Sequence, residues 1–443
     1  MRKKITKHVL GFTILLALVA CDGEPHPFYS STMSSSPTLK TIPADALVIV
    51  NGIVIDGTGA DPIPDGIVAM RGTRIVAVGH KEDFAIPSEV DIIDAKGGAI
   101  LPGIIDAHTH LTDNPTTRRF SFLLEGVTAT CDLGGPLESM PQFEQNDTTG
   151  PSARGFYAGP IITAPGGYPD AEGRGHHINY EVANPDEARA AVADLIQHGS
   201  DVIKIVLEPG PIGVSWPVLS PQEVKTVVEE AHARGKLVRA HVIHADFLNI
   251  SLNAGVDAIE HVPIPQLSEA DWKVATDNND HLKLPVDYEA QLVRMVEQHV
   301  VMVPTLSVTP VICDMDWYGT PLEYQPLCGE LLLEAVRRFH ELGGTVALGN
   351  DYGTWRVELG MPLPEMRLLL AAGLTPMEVI EASTRNAARV CGHGDELGTL
   401  EPGKLADVII VDGNPLIDIE EMSQVLLVIK GGQIAFPVPT VTN

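Results

Sequence analysis

Short β-branched apolar runs in this chain end repeatedly in a residue that can ligate a metal or move a proton. Ile104-Ile105 leads into Asp106-Ala107-His108-Thr109-His110, and Lys204 sits inside Val202-Ile203-Lys204-Ile205-Val206. Val238-Arg239-Ala240 precedes His241, Ala258-Ile259-Glu260 precedes His261, and Val346-Ala347-Leu348-Gly349-Asn350 precedes Asp351. Runs of this length and composition read as buried parallel strands. Eight are predicted, ending near His110, Asp132, Thr163, Leu207, His244, His261, Thr305 and Asp351. Helix-like segments lie between them, for example Pro185–His198 and Pro221–Arg234, each closed by a glycine. Alternation of this kind predicts a (β/α)8 TIM barrel over residues 101–395, a fold that gathers distant strand ends onto one catalytic face.

The two ends of the chain differ from the middle. Ala46–Gly57 and Gly66–Gly79 are β runs cut by Asn-Gly and Arg-Gly turns, and Ala406–Gly413 and Val425–Ile434 look alike. They predict one small β-sandwich assembled from residues 45–100 and 396–436, and a length of 443 residues accommodates both units. The connection Pro263–Leu292 is polar and long for a barrel, so it is expected to fold over the mouth or pack outside.

Residues 1–20 read as an export signal. Arg2, Lys3, Lys4 and Lys7 precede an apolar stretch, Val9–Ala20, that is too short to span a bilayer comfortably. Leu18-Val19-Ala20-Cys21 resembles a bacterial lipobox, which implies lipidation at Cys21, a membrane anchor and an exported lipoprotein of the cell envelope. The alternative is an ordinary signal peptide with an incidental cysteine. Asp22 resembles an inner-membrane retention signal, and an outer-membrane location stays open beside it. Residues 21–44, rich in serine and proline, read as a flexible tether.

A formal net charge of −28 argues against nucleic acid as a partner and leaves a small-molecule substrate as the expectation; a homo-oligomer is compatible with the composition. Export permits disulfides. Cys131 and Cys391 fall in strand-like and helix-like runs and read as buried thiols. Cys313 and Cys328 flank a loop that they either close as a disulfide or leave as two free thiols.

His108 and His110, two apart on a strand, present both imidazoles to one face. Lys204 inside a strand is costly if charged, because burial favours the neutral amine. A stem packed on the barrel with its amine reaching solvent is the alternative.

With Leu101-Pro-Gly-Ile-Ile-Asp-Ala before the His-x-His pair, the chain resembles the amidohydrolase superfamily over nearly its whole mature length. Asn253–His261 is similar to that superfamily's sixth strand, His241 to the metal histidine of the fifth, Ala347–Asp351 to the eighth strand with its catalytic aspartate, and Gly398–Asp407 to the return into the sandwich. The closest branch resembles imidazolonepropionase and Xaa-Pro dipeptidases. The resemblance implies one or two divalent metals, zinc first, held by His108, His110, His241, His261 and Asp351. If there are two, a carboxylated Lys204 would bridge them. It implies hydrolysis of an amide-type C–N bond in a dipeptide, an N-acyl amino acid or a cyclic amide, with Asp351 as proton shuttle. A lactonase or phosphotriesterase on the same site, or a catalytically retired lipid-anchored binding protein, are the alternatives.

Candidate substrate contacts are His176 and His177 in the loop after the third strand, His244, Tyr157 and Tyr352, with Tyr168 in the same region; for each, packing or a solvated loop is the competing reading. Asn350 stands where the family pattern has Thr, and Val262 where it has Gly. Ala164-Pro-Gly-Gly-Tyr168 lacks phosphate-loop spacing, and no Gly-x-Ser-x-Gly occurs.

Overall fold

The computed structural model describes residues 39–111, 115–140, 152–170, 178–211, 213–276, 282–314, 320, 322–353 and 357–437. Cys21, His176 and His177 lie outside these residues, as do the signal segment and most of the tether. Among the described residues no helix is long and apolar enough to cross a membrane.

The middle of the chain forms parallel strands in sequence order. We label them β1 (Ile104–Thr109), β2 (Val127–Asp132), β3 (Arg154–Tyr157), β4 (Ile161–Thr163), β5 (Ile203–Val206), β6 (Val238–His241), β7 (Ala258–Glu260) and β8 (Val301–Val303). β1, β2 and β3 form one ladder, and β4 to β8 another, with Asn179–Glu181 on the β4 edge. The expected third strand is thus broken into β3 and β4, and Tyr157 at the break carries its carbonyl to the amide of Asp201 (2.9 Å). The fifth ends at His241, three residues earlier than the sequence suggests, because His244 already stands before the helix Ala245–Ala254.

The expected eighth strand is the least regular. Thr345–Asp351 runs between β8 and β1. Met302 N–H donates to Thr345 O (3.0 Å) and Ala347 N–H to Met302 O (2.9 Å), while Ala107 N–H donates to Leu348 O (3.0 Å) and Asp351 N–H to His108 O (2.8 Å). Gly349 permits this closeness: a Cβ there would stand 2.6 Å from that of His108. Helices between the strands begin where the sequence places their caps. Asn184 accepts from the amides of Asp186 and Glu187 ahead of Pro185–Gln197, and Ser220 and Glu223 form a capping box on Pro221–Ala233.

Both chain ends share one eight-stranded sheet. Its order is Gln433–Pro437, Val425–Lys430, Val408–Val411, Ala99–Pro102, Leu47–Val54, Ile63–Arg71 and Arg74–His80, with Asp91–Asp94 also paired to Leu47–Val54. Period-two alternation explains its two apolar faces: Ile49 and Val68 join one buried cluster, Val48, Val50 and Ala69 the other. Asp407 ties this sheet to β3 by accepting both Nε (2.7 Å) and Nη2 (2.9 Å) of Arg154. Cys313 and Cys328 form a disulfide with Cα atoms 5.9 Å apart, and Cys131 and Cys391 are buried free thiols.

Candidate metal centre

On β1, alternation sends Asp106 and His108 to the same face, and His110 just beyond the strand continues it. His110 Nε2 lies 3.3 Å and His108 Nε2 3.6 Å from Asp351 Oδ1, and the ligand atoms of these three residues all fall within 4.8 Å of one another. His241 Nδ1 and His261 Nε2 meet at 2.8 Å. The imidazole centroids of His108 and His261 are 5.2 Å apart, so the two groups are neighbours.

Two of the candidate ligands adopt strained backbone to get there. Glu260 and His261 are successive residues, and a regular strand would send them to opposite faces. His261 has φ 69°, which ends the strand and lets both side chains contribute; Asp351 has φ 58°. Left-handed backbone at a non-glycine residue costs roughly 1–2 kcal/mol, and such strain concentrates at functional positions.

The outward nitrogens have oxygen neighbours. His108 Nδ1 is 2.7 Å from Glu260 Oε2, His261 Nδ1 is 2.7 Å from Thr305 Oγ1, and His241 Nε2 is 3.7 Å from Glu208 Oε2. Burial drives the His108 and His241 imidazoles well below their ordinary range, helped by Lys204 and His261 respectively, and lowers His261 to about 4. All three are therefore neutral at pH 7, the form in which a histidine ligates. Burial pushes the Asp351 carboxyl up, but the His108 and His110 imidazoles outweigh it and hold the group below the usual carboxylate range.

Lys204 lies 1% exposed on β5. Its Nζ has no hydrogen-bond partner among the described residues, and burial draws the amine down to about 8 against the opposing pull of Glu260. Its charge is felt by His108, His241 and His261. An orphaned buried amine near three imidazoles and Asp351 is a poor hydrophobic core, and with His110 these residues are a fitting donor set for a divalent metal, so the residues present match the ion.

The other expected contacts separate. His244 is 8% exposed with Nε2 3.4 Å from Glu208 Oε1, close to His241. Tyr352 follows Asp351 directly, and its carbonyl accepts from His110 N–H (2.6 Å). Tyr168 stacks on His241 with centroids 5.1 Å apart and on Trp216 at 5.8 Å. Tyr157 instead lies in the hydrophobic core with Ile162 and Leu195. Sequence reading missed Glu208, Glu260, Thr305 and Trp216. Glu208 and Glu260 did carry a signal, each being an acid at the end of a strand-like apolar run.

A sequence model of the Amidohydrolase family matches residues 99–435, and the chain belongs to that family. Ochratoxinase of Aspergillus niger is 26% identical over 89% of this chain and 88% of its own length. Its crystal structure superposes with a TM-score of 0.72 at 22% identity, covering 89% of this chain and 96% of that one. Imidazolonepropionase of Symbiobacterium thermophilum is 27% identical over 83% of this chain and 91% of its own. A Xaa-Pro dipeptidase structure with bound methionine in its active site gives a TM-score of 0.70 at 24% identity over 88% and 99%. The fold is therefore of the TIM-barrel type, and the protein is a metal-dependent hydrolase acting on C–N bonds.

Proposed function

We propose that this protein hydrolyses an amide-type C–N bond in a dipeptide, an N-acyl amino acid or a cyclic amide, at a two-metal site. His108, His110 and Asp351 would hold one ion, His241 and His261 the other, with carboxylated Lys204 between them. The observation that carries this reading is the partnerless buried amine of Lys204 next to two groups of ligand atoms. A neutral amine is the form that takes up carbon dioxide, and the added carboxylate would fill the vacant hydrogen-bonding role. Imidazole and carboxylate donors suit zinc.

When bound, such ions lower the pKa of a water and polarise the scissile carbonyl. The chain's own residues do the rest. Asp351, whose carboxyl is held below the usual carboxylate range, accepts the attacking water's proton and returns it to the leaving nitrogen. Thr305 orients the ring of His261. Tyr168, Tyr352 and His244 stand next to the ligands and would contact substrate.

The parallel strands, with Thr345–Asp351 joining β8 to β1, support a closed (β/α)8 barrel, and the terminal sheet a small sandwich domain. The lipobox-like Leu18–Cys21 supports an anchor at the membrane surface on the exported side.

Metal content and turnover test this together. The chain from Leu39 onward, purified with bicarbonate and without chelator, is expected to carry two transition metals. It should cleave members of a panel of dipeptides, N-acyl amino acids and cyclic amides. Cleavage of lactones or phosphotriesters alone would overturn the amide assignment, and no metal after zinc or manganese is supplied would overturn the site.

A further inference from the structure

Beneath the ligands lies a second pair of charges. Arg239 and Glu260 are each 0% exposed. Arg239 Nε donates to Glu260 Oε1 at 2.7 Å and Nη2 to Oε2 at 2.9 Å, and Nη1 donates to Cys131 Sγ at 3.5 Å. Glu260 Oε2 is also the atom 2.7 Å from His108 Nδ1. One carboxylate oxygen is thus shared between a guanidinium on β6 and an imidazole on β1, across the interior.

We infer that Arg239 and Glu260 form a positioning relay that fixes the ring and tautomer of His108, and through it the metal held by His108, His110 and Asp351. The inference rests on the metal-site reading above and adds a role for two residues outside the ligand set.

The local geometry is built for it. Arg239 lies two residues before His241, so both side chains face the interior from one strand. Glu260 pairs in register with His241 and faces the same way. Glu260 Oε2 stands 2.7 Å from His108 Nδ1 without a formed hydrogen bond, and an N–H on Nδ1 turned towards it would leave the Nε2 lone pair on the side of Asp351. The bidentate fork prevents Glu260 from turning away, a constraint that a point-charge lysine would not impose.

Glu260→Gln separates a relay from a mere structural ion pair. An amide presents one acceptor and one NH2 group. Both Glu260 oxygens accept from Arg239, so the NH2 meets an Arg239 donor in either orientation, and in one of them it also faces His108 Nδ1 and reverses that ring's tautomer. Arg239→Met/Glu260→Gln removes both charges without leaving one buried alone, and so protects folding.

The experiment is cobalt(II) titration of the full-length metal-free protein, read by its visible ligand-field bands and by chelator competition, with melting of the metal-free form as the folding control. Both variants are expected to melt cooperatively, bind cobalt about tenfold to a hundredfold more weakly, and show altered bands. Arg239→Lys should fall between them and wild type. Folded variants with wild-type affinity and bands would overturn the relay alone. A wild-type protein that takes up no cobalt would overturn the metal centre and the relay with it.

Discussion

His241 Nδ1 and His261 Nε2 face each other at 2.8 Å from the ends of adjacent strands. As a hydrogen-bonded pair they need a proton between them. As a metal pair both nitrogens would offer lone pairs, and the remaining N–H of His261 would turn outward to Thr305 Oγ1 at 2.7 Å. The outward partner of His261 is already in place, so ion uptake there would require a change of tautomer.

Thr305→Val keeps the shape of the side chain and removes the oxygen that His261 Nδ1 meets at 2.7 Å. Metal affinity is expected to fall by about tenfold to a hundredfold while the metal-free melting temperature changes little. Chelator competition measures it, and unchanged affinity would refute the orienting role.

Lys204→Met replaces a buried amine with an apolar chain of similar length. The variant should fold at least as well as wild type when metal-free, because an orphaned polar group is removed. Plasma mass spectrometry is expected to find no more than one metal per chain; two per chain would rule out the bridging role.

Asp351→Asn should keep the fold and part of the metal, and lose roughly 10²–10⁴-fold in kcat. Turnover at the wild-type rate would remove Asp351 from the proton-transfer step.

Asp106 supplies a pH-dependent test. Its Oδ1 accepts from the amides of His108 (3.2 Å) and Asn350 (3.1 Å), and burial raises its carboxyl from 3.8 to about 8. The folded state then binds a proton that the unfolded state releases, so this contribution to stability is complete below about pH 4 and is lost as pH rises through about 8. In the metal-free protein Asp106→Asn keeps the accepting oxygen and does not ionise. Its melting temperature should match wild type near pH 4 and exceed it increasingly towards pH 8; a constant difference would refute the assignment.

The Cys313–Cys328 bridge closes a 15-residue separation. Replacing both cysteines with serine is expected to cost up to about 3 kcal/mol in denaturant unfolding and to leave cobalt affinity unchanged. A change in metal binding would mean that this loop reaches the site.

The cluster of His108, His110 and Asp351 was legible because candidate ligands end apolar runs. His108, His110, His241, His261 and Asp351 each close a β-branched segment, and any parallel α/β array brings such ends to one side. The partners of those ligands were harder to read. Glu260 precedes His261 by one residue and by alternation belongs on the opposite face; only the left-handed backbone at His261 lets both contribute. Tyr157 was a candidate contact, yet its place at the break between β3 and β4 put it in the core.

The sequence by itself determined the alternation of strands and helices and the meeting of both β-rich ends, expected as a sandwich and found as one eight-stranded sheet, since these follow from local periodicity. Only the tertiary structure decided that Lys204 lacks a partner, that Glu260 is shared by Arg239 and His108, and that Cys313 bonds Cys328. Those are relations between side chains distant in sequence, and they depend on backbone angles and distances that no local pattern encodes.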